Sequence, residues 1–290
     1  NNEAILQWQF DRGANVTHSY DYYYTPGGDF AIQGQKGGGL GTPTQEMVES
    51  YEKATGGFID WTPWHSTTKQ EPPYDKLEPR FHATVLYNGA QWKGRTIEPY
   101  INGLDGWATW RVEREPKGKT TTGYFLKKLA DETNTALTGS DMPITIIRYA
   151  EVLLNYAEAM NEAYGPDAVP AGFTMSARQA LQQVRDRAST KLPKVVAADQ
   201  EAFREAVKHE RRVELAFEDH RYWDLLRWKD AMDVLNKPVL GVAVTKTETG
   251  WSYQVQEVAT RTFYERNYYL PFLRSEIENS GNTLEQNPQY

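Results

Sequence analysis

The chain has 290 residues, is 39% hydrophobic and 13% aromatic, and carries a net charge of −7 from 32 Lys/Arg against 39 Asp/Glu. Its length and apolar content suffice for a packed core in one large domain or two small ones, whereas the acidic balance, without a clustered basic run, argues against a nucleic-acid partner. With no cysteine there are no disulfides, no thiol catalysis and no thiolate metal sites, and no apolar stretch approaches the roughly 20 residues that a membrane-spanning helix needs.

The chain opens on Asn1-Asn2-Glu3, without a basic start, an apolar signal core or an initiator Met, so it reads as a processed product or a cut piece. Residues 1–143 are rich in Gly, Pro and aromatics and read as an irregular region of short helices and hairpins. His18 to Tyr24 (HSYDYYY) sets four tyrosines in seven residues between loop signals. Gly34 to Gly41 (GQKGGGLG) reads as a flexible connection, and Thr44 to Lys53 as a short helix after Pro43. Trp61 and Trp64 flank Pro63 in IDWTPWH, and Trp107 and Trp110 stand in the loop sequence DGWATW. Phe81 to Tyr87, Asn88-Gly89 and Ala90 to Ile97 predict a hairpin, because Asn-Gly accepts positive φ at both turn positions. Trp8 and Trp92 fall in strand-like surroundings and read as core.

Long amphipathic helices occupy residues 144–237. Ile144 to Tyr164 carries Val152, Leu153, Tyr156, Ala157 and Met160 at helical spacing and ends at Gly165-Pro166. Ser176 and Gln179 predict a capping box for a second helix running to Ala188, with Ala177, Ala180, Leu181 and Val184 inward. Asp199 caps a third, whose apolar stripe is Phe203, Ala206, Val207, Val213 and Phe217. Tyr222, Leu225, Leu226, Met232 and Leu235 supply a fourth after a break at His220-Arg221. Two antiparallel helix pairs make the expected class mainly α. Residues 238–290 read as a hairpin and an extended C-terminal tail: Trp251, Tyr253 and Val255 alternate with polar residues after a Glu248-Thr249-Gly250 turn, which is strand periodicity.

The third helix also carries Glu210, Glu214 and Glu218 at i, i+4 and i+8. Such carboxylates repel by a few tenths of a kcal/mol per pair on an isolated helix, so cations from elsewhere must face them, with Arg185 and Arg187 the nearest candidates. Arg211, Arg221, Asp224 and Arg227 complete an expected structural ion network. Asp and Glu beside Arg also suit acid–base chemistry, but a buried clamp explains the pattern without it. Trp223 and Trp228 lie five apart on this run and read as packing.

YAEVLLNYAEAMNEA at 149–163, ALQQVRDRA at 180–188, ERRVELAFEDHRYWDLLRWK at 210–229 and YYLPFLRSEIENSGNTLEQNPQY at 268–290 together resemble the SusD/RagB family. PTQEMVESYE at 43–52, LEPRFHATVLYNG at 77–89, QWKGRTIE at 91–98 and TTTGYFLKKLADE at 120–132 follow the same family order, in the manner of the C-terminal part of a typical member. The resemblance implies tetratricopeptide-like helix pairs in an α–α superhelix, beneath an irregular region that supplies much of the ligand face. It also implies a non-catalytic, lipid-anchored glycan binder on the bacterial outer membrane, partnered with a TonB-dependent SusC-type transporter. The lipidated N-terminal part and most early helices of the family are missing from this sequence.

Pyranose C–H faces pack on aromatic rings, and their hydroxyls need amide, carboxylate or Arg partners. The candidate ligand residues are therefore the loop aromatics Tyr22, Tyr23, Tyr24, Trp61, Trp64, Trp107 and Trp110. The competing reading is that they pin loops to the core. A peptide-binding helical scaffold is the alternative function. Glycoside hydrolysis is another, with Asp29, Asp60, Asp75 and Asp105 on loops as its only carboxylate candidates. No metal or cofactor set is read: His209-Glu210 lacks a second histidine at 213, His18, His65, His82 and His220 fit no ligand pattern, and GQKGGGLG lacks the Lys-Ser/Thr end of a phosphate loop.

Overall fold

The computed structural model describes residues 3–66, 70–106 and 119–290. The chain begins with β1 (Ala4–Trp8), α1 (Tyr20–Tyr24) and α2 (Gly27–Ile32). The glycine-rich segment beyond α2 is not a free connection. It is tied back by N–H donation from Gly38 to the Tyr22 carbonyl, Gly39 to Thr25 and Leu40 to Tyr23. Gly38 has φ +73°, and a β carbon there would lie 2.1 Å from the Thr25 carbonyl oxygen, so only glycine fits.

α3 (Gln45–Val48) starts at Thr44, whose hydroxyl accepts from the Met47 N–H, and α4 (Thr62–Ser66) follows. α5 (Pro79–Thr84), β2 (Val85–Leu86), β3 (Gln91–Trp92), β4 (Arg95–Thr96) and β5 (Phe125–Leu126) come next. They correct the hairpin expected across Asn88-Gly89. Proline at the first helical position favours α5 in place of most of the first arm. β2 pairs with β5, and β3 pairs with β4 over a tight turn at Lys93-Gly94, where φ is +46° and +76°. Asn88 is no exposed turn tip: it is buried and donates to the Tyr253 hydroxyl at 2.9 Å.

β6 (Ile144–Arg148) pairs antiparallel with β1 and leads into α6 (Tyr149–Tyr164). The helix expected from Ile144 starts five residues late because Ile144, Thr145, Ile146 and Ile147 are β-branched and suit a strand. α6 stops at Gly165, at φ +83°. α7 (Ala177–Arg185) has the capping box of Ser176 and Gln179, and α8 (Gln200–Glu214) is capped by Asp199, which accepts from Ala202. Ser176→Ala is expected to lower stability by about 1 kcal/mol, and an unchanged urea midpoint would mean the cap contributes nothing.

Leu153, Leu154, Ala157 and Met160 of α6 pack with Ala180, Leu181 and Val184 of α7 and Phe203 and Val207 of α8. The small side chains let these helices approach closely. α8 ends at Glu214, and positive φ at Phe217 and Asp219 turns the chain, so Phe217 leaves the helical stripe and is half-buried. α9 (His220–Arg227), α10 (Ala231–Leu235), β7 (Val239–Thr247), β8 (Gly250–Ala259) and α11 (Arg274–Asn279) complete the order. β7 and β8 form the longest of four two-stranded sheets among the described residues, pairing Val244 with Tyr253 and Lys246 with Trp251. A second core joins the irregular region to this hairpin: Tyr51, Trp61, Tyr74, Phe81 and Tyr124 pack with Val213 of α8, Val242, Val244 and Tyr253. The fold is mainly helical.

Candidate functional site

The Glu stripe is met by more cations than the helical run itself offers. Glu210 accepts from Arg185 at 2.7 Å and from Arg80 at 2.5 Å, and Arg185 also holds Glu52. Glu214 accepts from Arg148 at 2.6 Å, from both terminal nitrogens of Arg187 at 2.8 and 2.9 Å, and from Arg80 at 3.0 Å. Glu218, just past the helix end, accepts from Arg148 at 2.6 Å and Lys128 at 2.5 Å. Burial alone would push the Glu214 carboxyl up, but Arg148, then Arg80 and Arg187, hold it well below the usual carboxylate range.

Sequence reasoning missed Arg80, Arg148 and Lys128. The available signal was a lone arginine in an apolar frame: Arg80 between Leu77 and Phe81, and Arg148 after the Ile144–Ile147 run. On the far side of α8, Arg211 forks onto Asp224 at 2.9 and 3.1 Å, and Arg227 bridges Asp224 and Glu158. Arg221 departs from the expected network. Among the described residues it has no ion pair; burial, then the like charge of Arg212, pushes its guanidinium down to about 10.

The aromatic candidates separate by burial. Trp61 is 6% exposed and sits inside the second core, which corrects the expectation that it offers a ring face to a ligand. Its neighbour Trp64 is half-buried, lies edge-on to Trp61 at 5.8 Å, and donates its indole N–H to the Gln70 carbonyl at 3.1 Å. On α1, Tyr22 packs edge-on against Phe30, Tyr24 packs on Tyr20 at 4.2 Å, and Tyr23 is exposed. Trp107 and Trp110 lie outside the described residues. Trp92 is buried and donates to Asp29 at 2.8 Å, but Trp8, expected in the core, is exposed on β1, which among the described residues pairs with β6 alone. Trp223, expected to pack, is exposed on α9, whereas Trp228 is held by its N–H to Glu158 and by Arg227 over its ring.

The best-formed aromatic surface was not anticipated from the sequence. Tyr100 and Trp251 have ring centroids 4.5 Å apart, and the Lys246 ammonium lies 5.9 and 5.7 Å from them. Trp251 is 36% exposed. Residues 98–106 fix Tyr100 from below: Ile101 N–H donates to Val244 on β7, and Asp105 accepts from the Glu98 N–H. Arg95 clamps Asp105 at 2.7 Å and Asp29 at 2.8 Å. A β carbon at Gly106 would fall 1.7 Å from the Tyr100 carbonyl oxygen, so the turn closes only on glycine. α4 packs on β8, and Trp64 and Tyr100 both rest on the core cluster that holds Val244 and Tyr253. Trp64, Tyr100 and Trp251 therefore share one rigid base.

The loop carboxylates do not assemble as an acid–base pair. Asp29 and Asp105 are buried and neutralised by Arg95, and exposed Asp60 caps the Thr62 N–H at 3.0 Å, which lowers its pKa. Glu52, His209 and Glu210 bring donor atoms close enough for a cation. Both carboxylates are already engaged by Arg185, and Glu210 also by Arg80, so the cluster is saturated. Among the described residues no helix is long and apolar enough to cross a membrane.

A curated relative, SusD-like protein P25 of Formosa agariphila, is 39% identical over 92 residues, which is 31% of this chain and 16% of that protein. Among solved structures, a SusD-like protein of Bacteroides fragilis superposes with a TM-score of 0.71 at 28% identity, over 100% of this chain and 55% of its own. A SusD-like carbohydrate-binding protein of the same organism gives 0.71 at 25% identity, over 96% and 53%. The chain thus spans about half the length of these solved relatives. The SusD family model matches residues 2–290, and the chain belongs to the SusD family.

Proposed function

We propose that the chain binds a glycan, without cleaving it, on the surface built by Trp64, Tyr100 and Trp251. Tyr23, exposed on α1, is a further ring for the same ligand in this reading. In the whole protein the bound oligosaccharide is passed to a TonB-dependent SusC-type transporter at the bacterial outer-membrane surface, where a lipid on the preceding part of the chain holds the protein. The observation that carries this reading is the Tyr100–Trp251 pair on a clamped turn, with Trp251 36% exposed and Tyr100 half-buried beside it. A fixed aromatic shelf binds a sugar face without first losing side-chain freedom. Membership of the SusD family, and the printed description of the B. fragilis relative as carbohydrate-binding, support the ligand class. Arg95 engages both Asp29 and Asp105, which supports binding without hydrolysis.

A glycan array identifies the ligand, and titration of its best hit measures the shelf. Trp251→Ala is expected to weaken Kd about tenfold, or about 1.4 kcal/mol, while shifting stability by less than about 0.5 kcal/mol, as for other surface changes. The glycan should be recovered intact after incubation. A blank array, or an affinity indifferent to Trp251, would reject the reading and favour a peptide ligand.

A further inference from the structure

A cavity of about 230 Å³ opens inside the ion network, lined by Arg80, Lys128, Arg148, Arg187, Glu214 and Glu218, with Ala83, Thr84 and Thr145 at its wall. Four cations and two carboxylates line it, and Glu3, Glu78 and Glu210 meet the same arginines from outside the cavity. Both carboxylates are taken: Glu214 accepts from Arg80, Arg148 and Arg187, and Glu218 accepts from Arg148 and Lys128. The unmet capacity is all donor. Arg80 is only 7% exposed, and its Nε and Nη1 bind Glu78, Glu210 and Glu214, yet among the described residues its Nη2 has no hydrogen-bond partner. The Nε of Arg187, which lines the same cavity, is likewise unpartnered. A buried guanidinium N–H without an acceptor carries a substantial desolvation penalty, and a cavity of this size has room for the missing partner.

We propose that this cavity binds one small oxyanion of the carboxylate type, which accepts from Arg80 Nη2. A planar carboxylate matches a guanidinium edge. Nothing in this proposal depends on the aromatic shelf, since none of Trp64, Tyr100 and Trp251 lines the cavity. The group could be a free solute anion or a carboxylate borne on a longer molecule, so the probes are formate, for the bare group, and succinate, for a chain-borne one.

Thermal unfolding is followed in sodium formate and in sodium chloride at equal ionic strength. Formate is expected to raise Tm saturably by about 2 °C over chloride, and saturation-transfer NMR should detect the formate C–H proton against the protein. An equal response to succinate would mean the entrance admits a borne carboxylate, and a response to formate alone would mean a free anion. Ala83→Leu fills the cavity wall without touching an ion pair and should abolish both signals while leaving Tm in chloride near wild type. Arg80→Lys is an independent arm, since lysine keeps the charge but lacks the second terminal nitrogen. Identical Tm in formate and chloride with no saturation transfer, or a formate response retained in both variants, would show that the cavity holds water only and overturn the site.

Discussion

Glu214→Ala is expected to destabilise the fold by about 3–5 kcal/mol, the range for breaking a buried ionic cluster by removing one partner. Glu214 is buried at the end of α8 and is the common acceptor of Arg80, Arg148 and Arg187. These arginines arrive from α5, β6 and the segment just after α7, so deleting one carboxylate removes a shared acceptor from three parts of the chain at once and leaves Arg187 with Glu3 alone among its carboxylate partners. Urea unfolding measures the loss as a lower midpoint at unchanged slope. Arg221→Ala is the matched control. With no ion pair among the described residues and Arg212 beside it, Arg221 should be replaceable with little loss or a small gain in stability. A shift under about 1 kcal/mol for Glu214→Ala, or a larger shift for Arg221→Ala, would show that the ionic cluster does not hold the fold.

The same arrangement sets the response to acid. The folded Glu214 pKa lies below its ordinary value of 4.5, so its contribution is present above that value and is lost as pH falls through the folded one. Glu52 and Glu218 are lowered in the same direction, by Arg185 and by Lys128 with Arg148 respectively, against the upward push of burial. Glu78 runs the other way: burial raises it despite Arg80, so its protonation favours the folded state as pH falls and offsets part of the loss. Stability should therefore fall steeply below about pH 4.5, and Glu214→Ala should flatten that dependence.

What the sequence disclosed followed local rules. Ser176 with Gln179 and Asp199 before α8 mark helix starts by backbone chemistry within three residues, and both caps stand where the spacing puts them. The apolar stripe of α7 is equally local. The β7–β8 hairpin was half legible: alternation at Trp251, Tyr253 and Val255 gave one strand, but its neighbour Val239–Thr247 is too uniformly apolar at its start for a two-residue period to show. Arg187, in the run just before α8, was legible as a partner of Glu214, but Arg80 and Arg148 were not, because they are 134 and 66 residues away. Pairing over that distance is decided by packing, not by any pattern along the chain. The Tyr100–Trp251 shelf was hidden for the same reason, since Tyr100 follows a proline in a turn and Trp251 begins a strand, and only the Ile101–Val244 hydrogen bond shows that the two elements meet. Composition drew attention to Trp61 as much as to Trp64, although three positions along the chain take one indole inside and leave the other near the surface.

Trp61 and Trp64 should accordingly give opposite phenotypes. Trp61→Ala removes a ring packed against the core that holds Val48, Tyr51 and Tyr253, and loss of a buried aromatic with the cavity it leaves is expected to lower stability by about 3–5 kcal/mol. Its indole N–H has no acceptor among the described residues, so no hydrogen bond is forfeited and the whole loss comes from packing. Trp61→Phe should therefore recover most of it. Trp64→Ala removes a half-buried ring and one hydrogen bond to the Gln70 carbonyl, for about 1 kcal/mol, but it takes away one of three rings on the proposed glycan surface. Differential unfolding and glycan titration on the same preparations separate the two. Trp61→Ala that folds should keep its affinity per folded molecule, and Trp64→Ala should weaken binding with a near-normal melting curve. The reverse pattern would place the sugar against Trp61 and require α4 to lift from β8 on binding, because the ring cannot be reached while α4 is seated.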